Sequence, residues 1–370
     1  MKIRKLFIEK QVVELPETKA IQSRLDVPSE IVKHAREVYE YVLQSNDAVQ
    51  KGKEVLYLTR NNGAFLKNCP GTRCYTCCDY KILHIGTFCN MDCAYCILQS
   101  YFHPPVLQYF VNHDELLSEL TDVFAQKRIA RIGTGEFTDS LIWEPWTDFS
   151  TRLVSAFSEQ DHCILELKTK TVSVERLEAL RHHQKTIAAW SLNTNRIIRK
   201  EERHTASLSA RLKAAARCAS WGYPLAFHFD PLIIYEGCEE DYEMCVQRLF
   251  SHIDPRDIAW ISLGTLRFMP ALKEIIRQRF AGSRIIYGEF ITGLDGKMRY
   301  FKPLRIDLYR KMVGWIKNLA PQVFVYLCME DDEVWEASFG YRPADYGGLP
   351  RMLDKQAVRH CRLNPDGVNY

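Results

Sequence analysis

From Lys81 onward, strand-like and helix-like segments alternate along the chain, and this alternation limits the fold more than any other feature. Near-continuous apolar strands separated by amphipathic helices are typical of a parallel sheet covered by helices. Strands are predicted at 82–87, 129–133, 163–168, 187–192, 225–229, 258–263 and 323–328, and helices at 113–126, 146–157, 172–182, 207–219 and 240–252. Six or more such units predict an α/β fold that curls into a partial (β/α)6-type TIM barrel.

Polar residues follow five of these strands at the point where each strand ends. In a parallel barrel, reactive groups gather at the carboxyl ends of the strands. In chain order, the groups concerned are Cys89, Cys93 and Cys96; Gly133 to Glu136; Thr169 and Lys170; Ser191 to Asn193; and His228 with Asp230. We therefore expect a single site to which all these strand ends contribute.

The first group places three thiols within eight residues, Cys89-x3-Cys93-x2-Cys96. A structural zinc or a closed electron-transfer cluster normally takes four protein ligands, whereas a catalytic metal keeps one position open. This spacing after a strand, with the aromatic Tyr95 before the last cysteine, resembles the radical S-adenosylmethionine (SAM) superfamily. The resemblance implies a 4Fe-4S cluster on the three thiols, with SAM bound to the fourth iron. A zinc knuckle or ordinary reduced cysteines are the alternative interpretation.

The next strand ends supply candidate SAM-binding groups. Gly133, Gly135 and Glu136 offer backbone amides and a carboxylate that suit the ammonium group of SAM, and they resemble the glycine-glycine-glutamate element of the superfamily. A simple glycine-rich turn would have the same composition. Lys170 and Ser191 suit the SAM carboxylate and ribose, although a solvated lysine and a helix cap are the alternative. The remaining candidates for cofactor binding are Thr138 and Asn193.

Two further features are candidate contacts with a substrate. His228 and Asp230 lie two apart on an apolar strand and therefore share a face; they would contact substrate or form a buried hydrogen-bonded pair. Residues 284–303 are predicted to form a β-hairpin whose second arm carries Lys297, Arg299 and Tyr300. Such an arm can meet phosphates with its charges and wedge an aromatic ring into a base stack. A hairpin that packs its aromatic side chains on the barrel is the alternative.

The pattern divides the chain into three parts: an N-terminal α/β extension (1–79), the barrel with its hairpin (80–330) and a C-terminal tail packing on the barrel (331–370). In the extension, a helix is predicted to begin at Ser29 and a strand to cover 54–59. Its end carries a second cysteine group whose spacing matches no strong template: Cys69, Cys74, Cys77 and Cys78. These thiols would bind an auxiliary cluster or zinc, or would pack beside the first group.

Composition limits the setting of the protein. Thirteen cysteines, an odd number, indicate metal and thiol chemistry in a reducing compartment better than a disulfide framework. No apolar run is long enough to span a membrane and the first residues lack a signal-peptide core, so we expect a cytoplasmic protein with no membrane partner. The formal charge of +3 is too small to indicate a nucleic-acid partner, and no feature predicts the oligomeric state.

Together these elements resemble the spore photoproduct lyase family of radical SAM enzymes, from about Cys69 to Arg305. The matching segments are 93–99 in the cluster loop, Thr169–Lys170, Ser191, 235–237 and Arg299–Tyr300. The resemblance implies a lyase that reverses a thymine-thymine cross-link in damaged duplex DNA. It also implies a 5′-deoxyadenosyl radical made from SAM, and a flavodoxin- or ferredoxin-type reductant. The hairpin would then enter the DNA at the lesion.

The chain departs from this family at two positions. The cysteine that returns a hydrogen atom to the product in the family is Glu136 here, and a second aromatic residue after the last cluster cysteine is Ile97. A carboxylate gives up protons rather than hydrogen atoms, so Tyr95 and Cys163 become the candidate donors. Alternatively, the chain is a radical SAM enzyme with a different substrate, such as RNA, a peptide or a metabolite. A non-catalytic iron-sulfur nucleic-acid-binding protein is the third hypothesis.

Overall fold

The computed structural model describes residues 2–72 and 74–364, and its larger sheet has eight strands. Seven of them run parallel in chain order, and only the first is antiparallel to its neighbour. From edge to edge they are Leu66–Asn68, Lys81–Leu83, Ala130–Gly133, Cys163–Thr169, Thr186–Ser191, Leu225–Leu232, Ile258–Thr265 and Val325–Leu327. Within the described ranges the two edge strands do not pair with each other. The predicted partial barrel is therefore confirmed.

The register of the sheet brings the strand ends together. Gly133 pairs with Glu166, Thr169 with Trp190, and Ser191 with His228. Because all these strands run in the same direction, the loops that follow them open at one end of the barrel. We call this end the mouth.

Helices cover the outside of the sheet, as predicted, with one exception. The segment predicted as a helix at 172–182 contains only the single 3₁₀ turn Glu175–Leu177. The Thr171 hydroxyl lies 3.0 Å from that of Thr169 and the Trp190 indole N–H donates to the Thr171 carbonyl, so the chain stays extended where the helix was expected to begin. The α-helices are Pro16–Arg24, Ala35–Leu43, Ala48–Lys53, Leu98–Tyr101, His113–Ala125, Phe149–Ser158, Asn195–Glu201, Leu208–Ser220, Cys238–His252, Pro270–Arg279, Lys302–Leu319, Asp332–Phe339 and Leu349–Cys361; the other 3₁₀ turns are Lys10–Val12, Pro255–Asp257 and Pro343–Tyr346.

A second sheet joins the N-terminal extension to the barrel. Its strands, in order, are Ser29–Val32, Lys5–Glu9, Val55–Thr59, Leu107–Phe110 and Gly86–Thr87. The strand predicted at 82–87 is thus divided: Lys81–Leu83 belongs to the larger sheet and Gly86–Thr87 to the second sheet. Because the second sheet contains strands on both sides of residue 79, the predicted domain boundary at that residue does not separate the two sheets. The helix predicted from Ser29 is also wrong in its first turns. Residues 29–32 pair with the first strand through their backbone, and the helix begins at Ala35.

Two small sheets contain the remaining strands. Asp92–Cys93 pairs with Glu202–Arg203, and Met298–Tyr300 lies between Arg267–Phe268 and Phe290–Thr292. The C-terminal helix Leu349–Cys361 buries Leu353 and Ala357 in the main core, which agrees with a tail packing on the barrel. The end of that predicted tail, 365–370, lies outside the described residues. No helix in the described part of the chain is long and apolar enough to cross a membrane.

Candidate active site at the mouth of the barrel

The first cysteine group lies on a short loop that enters the mouth after the strand Lys81–Leu83. Cys89 and Cys93 are buried, and Cys96 is partly exposed. The Met91 backbone N–H points at the Cys89 sulfur at 3.4 Å. Phe88 adopts a left-handed φ of 72° and donates its N–H to the carbonyl of Phe137, in the loop after the next strand. The loop is therefore tied to the candidate SAM-binding segment.

The buried ammonium group of Lys53 stabilises this loop. Lys53 donates to the carbonyl oxygens of Cys89 and Met91, and its Nζ lies 3.6 Å from Asp92. Arg279 donates to the same Asp92 carboxylate at 3.0 Å. Because a buried charge is costly unless it is paired, these contacts fix the loop in one position.

The three thiols suit an iron-sulfur cluster that leaves one iron open. Burial raises the pKa of Cys89 to about 12 and the pKa of Cys93 well above its ordinary value, so a metal must displace a proton from each. Among residues 2–72 and 74–364, no three histidine, cysteine, aspartate or glutamate side chains converge as ligands of one ion. Three thiolates on a loop, with a backbone N–H directed at one sulfur, are the donor set of a larger cluster.

In the loop after the strand Ala130–Gly133, the backbone lies very close to neighbouring side chains. A Cβ at Gly133 would lie 1.6 Å from the Tyr80 hydroxyl oxygen, so only glycine fits there. Thr138 is buried, and its hydroxyl has no hydrogen-bond partner in the described protein. Asp139, which the sequence analysis missed, accepts hydrogen bonds from the Thr169 hydroxyl at 2.7 Å and the Lys170 backbone N–H at 2.8 Å. It therefore holds the second and third strand ends together.

The candidate SAM-binding residues on the next strands differ in their availability. Lys170 forms no ion pair with a carboxylate in the described ranges, and the Ser191 side chain forms no hydrogen bond there. Asn193, by contrast, donates to the Pro231 carbonyl at 2.8 Å and accepts from the Tyr242 hydroxyl at 3.0 Å. It is 1% exposed, so its side chain has a structural role here, and its contact with a cofactor stays a prediction.

Tyr95 is part of a buried network rather than a free phenol. Its hydroxyl donates to Glu202, which also accepts from the guanidinium of Arg211. Burial, followed by the charge of Glu202, raises the pKa of Tyr95 well above its ordinary value. The phenol therefore keeps its proton, directly beside the cluster loop.

Three pairs of polar side chains line the inside of the barrel near the mouth. Glu136 pairs with Lys168, the His228 Nε2 lies 3.2 Å from Glu166, and Asp230 forms a bidentate pair with Arg267. Burial would lower the pKa of Lys168, but Glu136 and then Glu166 raise it above its ordinary value. His228 and Asp230 face the interior as predicted but do not pair with each other. The sequence analysis missed Glu166, Lys168 and Arg267, although Glu166 and Lys168 alternate in an apolar strand.

The hairpin does not present the predicted side chains. Arg299 is 2% exposed, pairs with Asp295 at 2.8 Å and lies over the ring of Tyr75. Tyr300 is 3% exposed and stacks on Phe290 with ring centroids 4.7 Å apart. In this structure the alternative of aromatic packing describes both side chains, and their contact with DNA stays a prediction. Lys297 is mostly buried beside Asp295, with its Nζ at 3.4 Å.

The second cysteine group and Cys163 lie in two different parts of the fold. The loop 69–78 lies against the end of the last barrel strand, since the Thr76 N–H donates to the Glu330 carbonyl. Arg73, inside this loop, lies outside the described residues. Cys163 is fully buried at the start of its strand, about 20 Å of extended chain from the mouth. It cannot serve as a hydrogen donor there.

Comparison with known proteins gives one consistent result. A family model described as "Spore photoproduct lyase" matches residues 73–294. The spore photoproduct lyase of Bacillus subtilis (strain 168) is 28% identical over 206 residues, covering 54% of this chain and 60% of that protein. The Clostridium acetobutylicum protein of the same name is 24% identical over 224 residues, covering 60% and 64%. The chain thus spans about three fifths of the length of these curated relatives.

Solved structures agree with the fold. A spore photoproduct lyase complexed with dinucleoside spore photoproduct superposes with a TM-score of 0.76 at 21% identity, covering 88% of this chain and 99% of that one. A mutant with bound AdoMet and dinucleoside spore photoproduct gives a TM-score of 0.78 at 21% identity, with the same coverage. Because these identities are low, the structural likeness establishes the fold alone.

Proposed function

The chain belongs to the spore photoproduct lyase family, and on that premise we propose that it is a radical SAM lyase that repairs a thymine photolesion in DNA. The observation that carries the proposal is the three-thiol loop at the mouth, inside the matched segment and beside Lys170 and Thr138. A radical enzyme needs a cluster with one open iron, a polar site for SAM and exclusion of water. All three requirements have named residues here.

Cys89, Cys93 and Cys96 would hold the 4Fe-4S cluster. Once reduced, the cluster and SAM would supply a 5′-deoxyadenosyl radical that removes a hydrogen atom from the lesion. The buried Lys53 and the partly buried Arg279 would keep the loop rigid around it. The reductant, by this proposal, is a flavodoxin- or ferredoxin-type protein.

SAM would lie across the second, third and fourth strand ends. Within residues 2–72 and 74–364 the ammonium of Lys170 pairs with no carboxylate, so it suits the SAM carboxylate. The Thr138 hydroxyl, which lacks a hydrogen-bond partner there, would bind the same molecule together with the Ser191 hydroxyl. The backbone amides at Gly133 and Gly135 suit the same end of the molecule. Glu136 would bind the SAM ammonium only by sharing its carboxylate with Lys168.

The lesion would occupy the barrel interior beside His228 and Asp230. Their charged neighbours Glu166 and Arg267 hold both side chains in fixed orientations, which favours precise placement of a substrate. Of the two hydrogen donors that the sequence suggests, only Tyr95 lies at this end of the barrel. We therefore propose Tyr95 as the donor in place of the family cysteine; the tyrosyl radical left behind would regain one electron from the reductant and one proton.

The part of the hairpin available to DNA is its tip. Leu294 is 75% exposed and Ile291 is 45% exposed, whereas Arg299 and Tyr300 support the turn from inside. Exposed apolar side chains on a narrow projection can wedge between bases. We propose Leu294 as the wedge that helps a lesion leave the duplex.

We also propose that the protein functions in a reducing, cytoplasmic compartment. All thirteen cysteines are free, and the cluster thiols must stay reduced to bind iron. DNA damaged by ultraviolet light is the substrate we expect in that setting.

The decisive experiment is an anaerobic assay of 5′-deoxyadenosine with reduced, reconstituted protein and SAM, with and without ultraviolet-irradiated DNA. We expect product to rise by about tenfold or more with the damaged DNA and to disappear in Cys93→Ser. Equal product without DNA would remove DNA damage as the substrate. No product under any condition would leave a binding protein.

The same assay tests the hairpin. Leu294→Asp should lower activity on damaged duplex DNA while activity on a dinucleoside lesion is kept, because only the duplex needs a wedge. Leu319→Asp is the matched control, since Leu319 is 50% exposed at the end of an unrelated helix. Equal losses on both substrates would contradict a wedge role.

A further inference from the structure

Four cysteines from two distant parts of the chain meet at one cavity. Cys69, Cys77 and Cys78 come from the N-terminal loop, and Cys328 comes from the far end of the barrel. The cavity is small, with a volume of about 20 Å³. Cys74 lies in the same loop but does not line the cavity, and its side chain is exposed.

The positions of these thiols follow from the sheet. Cys69 comes directly after Leu66–Asn68, one edge strand of the open barrel, and Cys328 comes directly after Val325–Leu327, the other edge strand. The hydrogen bond from Thr76 to the Glu330 carbonyl, 3.0 Å long, holds the loop against the second edge. The cavity therefore lies in the seam where the barrel does not close.

The surroundings of the cavity suit negatively charged sulfur. The Asp79 backbone N–H points at the Cys77 sulfur at 3.3 Å, and the Arg267 Nη2 points at the Cys328 sulfur at 3.5 Å. Arg131 donates to the Cys78 carbonyl at 2.5 Å, so a second guanidinium borders the loop. Hydrogen bonds to sulfur and nearby positive charge stabilise thiolate-bound clusters.

We propose that Cys69, Cys77, Cys78 and Cys328 bind a second iron-sulfur cluster, which joins the two edges of the barrel. Four thiolates suit either zinc or an iron-sulfur centre. In the described residues these thiols, like those of the first loop, do not converge on one point as ligands of a single ion. The N–H groups directed at the Cys77 and Cys328 sulfurs favour the iron-sulfur centre.

Assembly of the cluster balances without any oxidation of the protein. Each thiol loses one proton as its sulfur bonds to iron, and iron and sulfide are supplied from solution. The inference goes beyond the proposed function and does not depend on it, because this cavity contains none of Cys89, Cys93 and Cys96.

The test uses full-length protein reconstituted anaerobically with iron and sulfide. The variant Cys89→Ser/Cys93→Ser/Cys96→Ser removes the first site, and we expect it to keep at least about two iron atoms per chain together with sulfide. Adding Cys328→Ser should remove that iron, whereas adding Cys74→Ser should leave it in place. Far-ultraviolet circular dichroism checks that each variant is folded.

Several results would overturn the proposal. They are the absence of iron from the triple variant, zinc in its place, retention of iron after Cys328→Ser, or its complete loss after Cys74→Ser. A measurement on the unaltered chain gives an independent check. In the reconstituted protein, Cys69, Cys77, Cys78 and Cys328 should resist alkylation until a chelator removes iron, while Cys74 reacts throughout. Protection of the four thiols that is unchanged by the chelator would contradict the proposal.

Discussion

The two cysteine groups of this chain are assembled in different ways. Cys89, Cys93 and Cys96 lie within one short loop, whereas the cavity at the seam draws one of its thiols from a strand end about 250 residues further along the chain. Because a contiguous group keeps its spacing whatever the rest of the fold does, its chemistry can be recognised from sequence. A discontinuous group exists only once the barrel has folded.

The groups also differ in what supports them. The first loop is held by the buried ammonium of Lys53 and the partly buried guanidinium of Arg279, which share Asp92. The second is bordered by Arg267 and Arg131, and its loop is tied to the strand end by one backbone hydrogen bond from Thr76. We therefore expect the first group to respond strongly to changes in its surroundings and the second to respond weakly.

The largest expected effect is on the support of the first loop. Lys53→Met removes two hydrogen bonds to loop carbonyls and leaves Asp92 with Arg279 alone. Breaking a buried charge pair typically costs about 3–5 kcal/mol, so the free energy of unfolding should fall by about 3 kcal/mol in urea denaturation. Iron bound by the first group should fall with it.

Lys51→Met is the matched control for this variant. Lys51 lies in the same helix, and its ammonium contacts only the face of the Tyr41 ring, at 4.7 Å. Its replacement should cost less than about 1 kcal/mol. If the two variants unfolded at the same urea concentration, the contrast between the supports of the two groups would be lost.

The next effect concerns the segment that packs behind the first loop. Glu144 is 6% exposed, and burial raises its pKa from 4.5 to about 7. The folded state therefore takes up a proton that the unfolded state lacks between about pH 4.5 and 7, and stability falls as the pH rises through that window. Glu144→Gln should raise the free energy of unfolding by on the order of 2 kcal/mol at pH 8 and change it little at pH 4.

Urea denaturation at three pH values measures this change. Glu178→Gln, at an exposed position, should leave the pH dependence of the parent unaltered. A Glu144→Gln protein whose stability still declined from pH 4.5 to 7 as in the parent would show that another group carries the dependence.

These contrasts explain how much of the molecule could be predicted from its sequence. The rule that polar groups collect at strand ends placed Cys89, Lys170 and Ser191 at the mouth, because it depends only on strand direction. Alternation along Met298–Tyr300 indicates which side chains share a face but not which face is buried. The pairing of Arg299 with Asp295, which decides that question, depends on tertiary structure. Cys328 escaped prediction for the same reason, since its neighbours come from the other edge of the sheet.

The smallest expected effect tests the second group directly. Burial alone would raise the pKa of Asp230, but Arg267 more than offsets this and lowers it, so the pair stays charged. Arg267→Lys keeps the positive charge but loses the bidentate geometry and the contact with the Cys328 sulfur. We expect a loss of about 1 kcal/mol in the free energy of unfolding and faster release of iron from the seam to a chelator, with the first group unchanged. Arg277→Lys, on an exposed helix face, is the control, and equal rates of iron release in the two variants would mean that Arg267 does not stabilise the second centre.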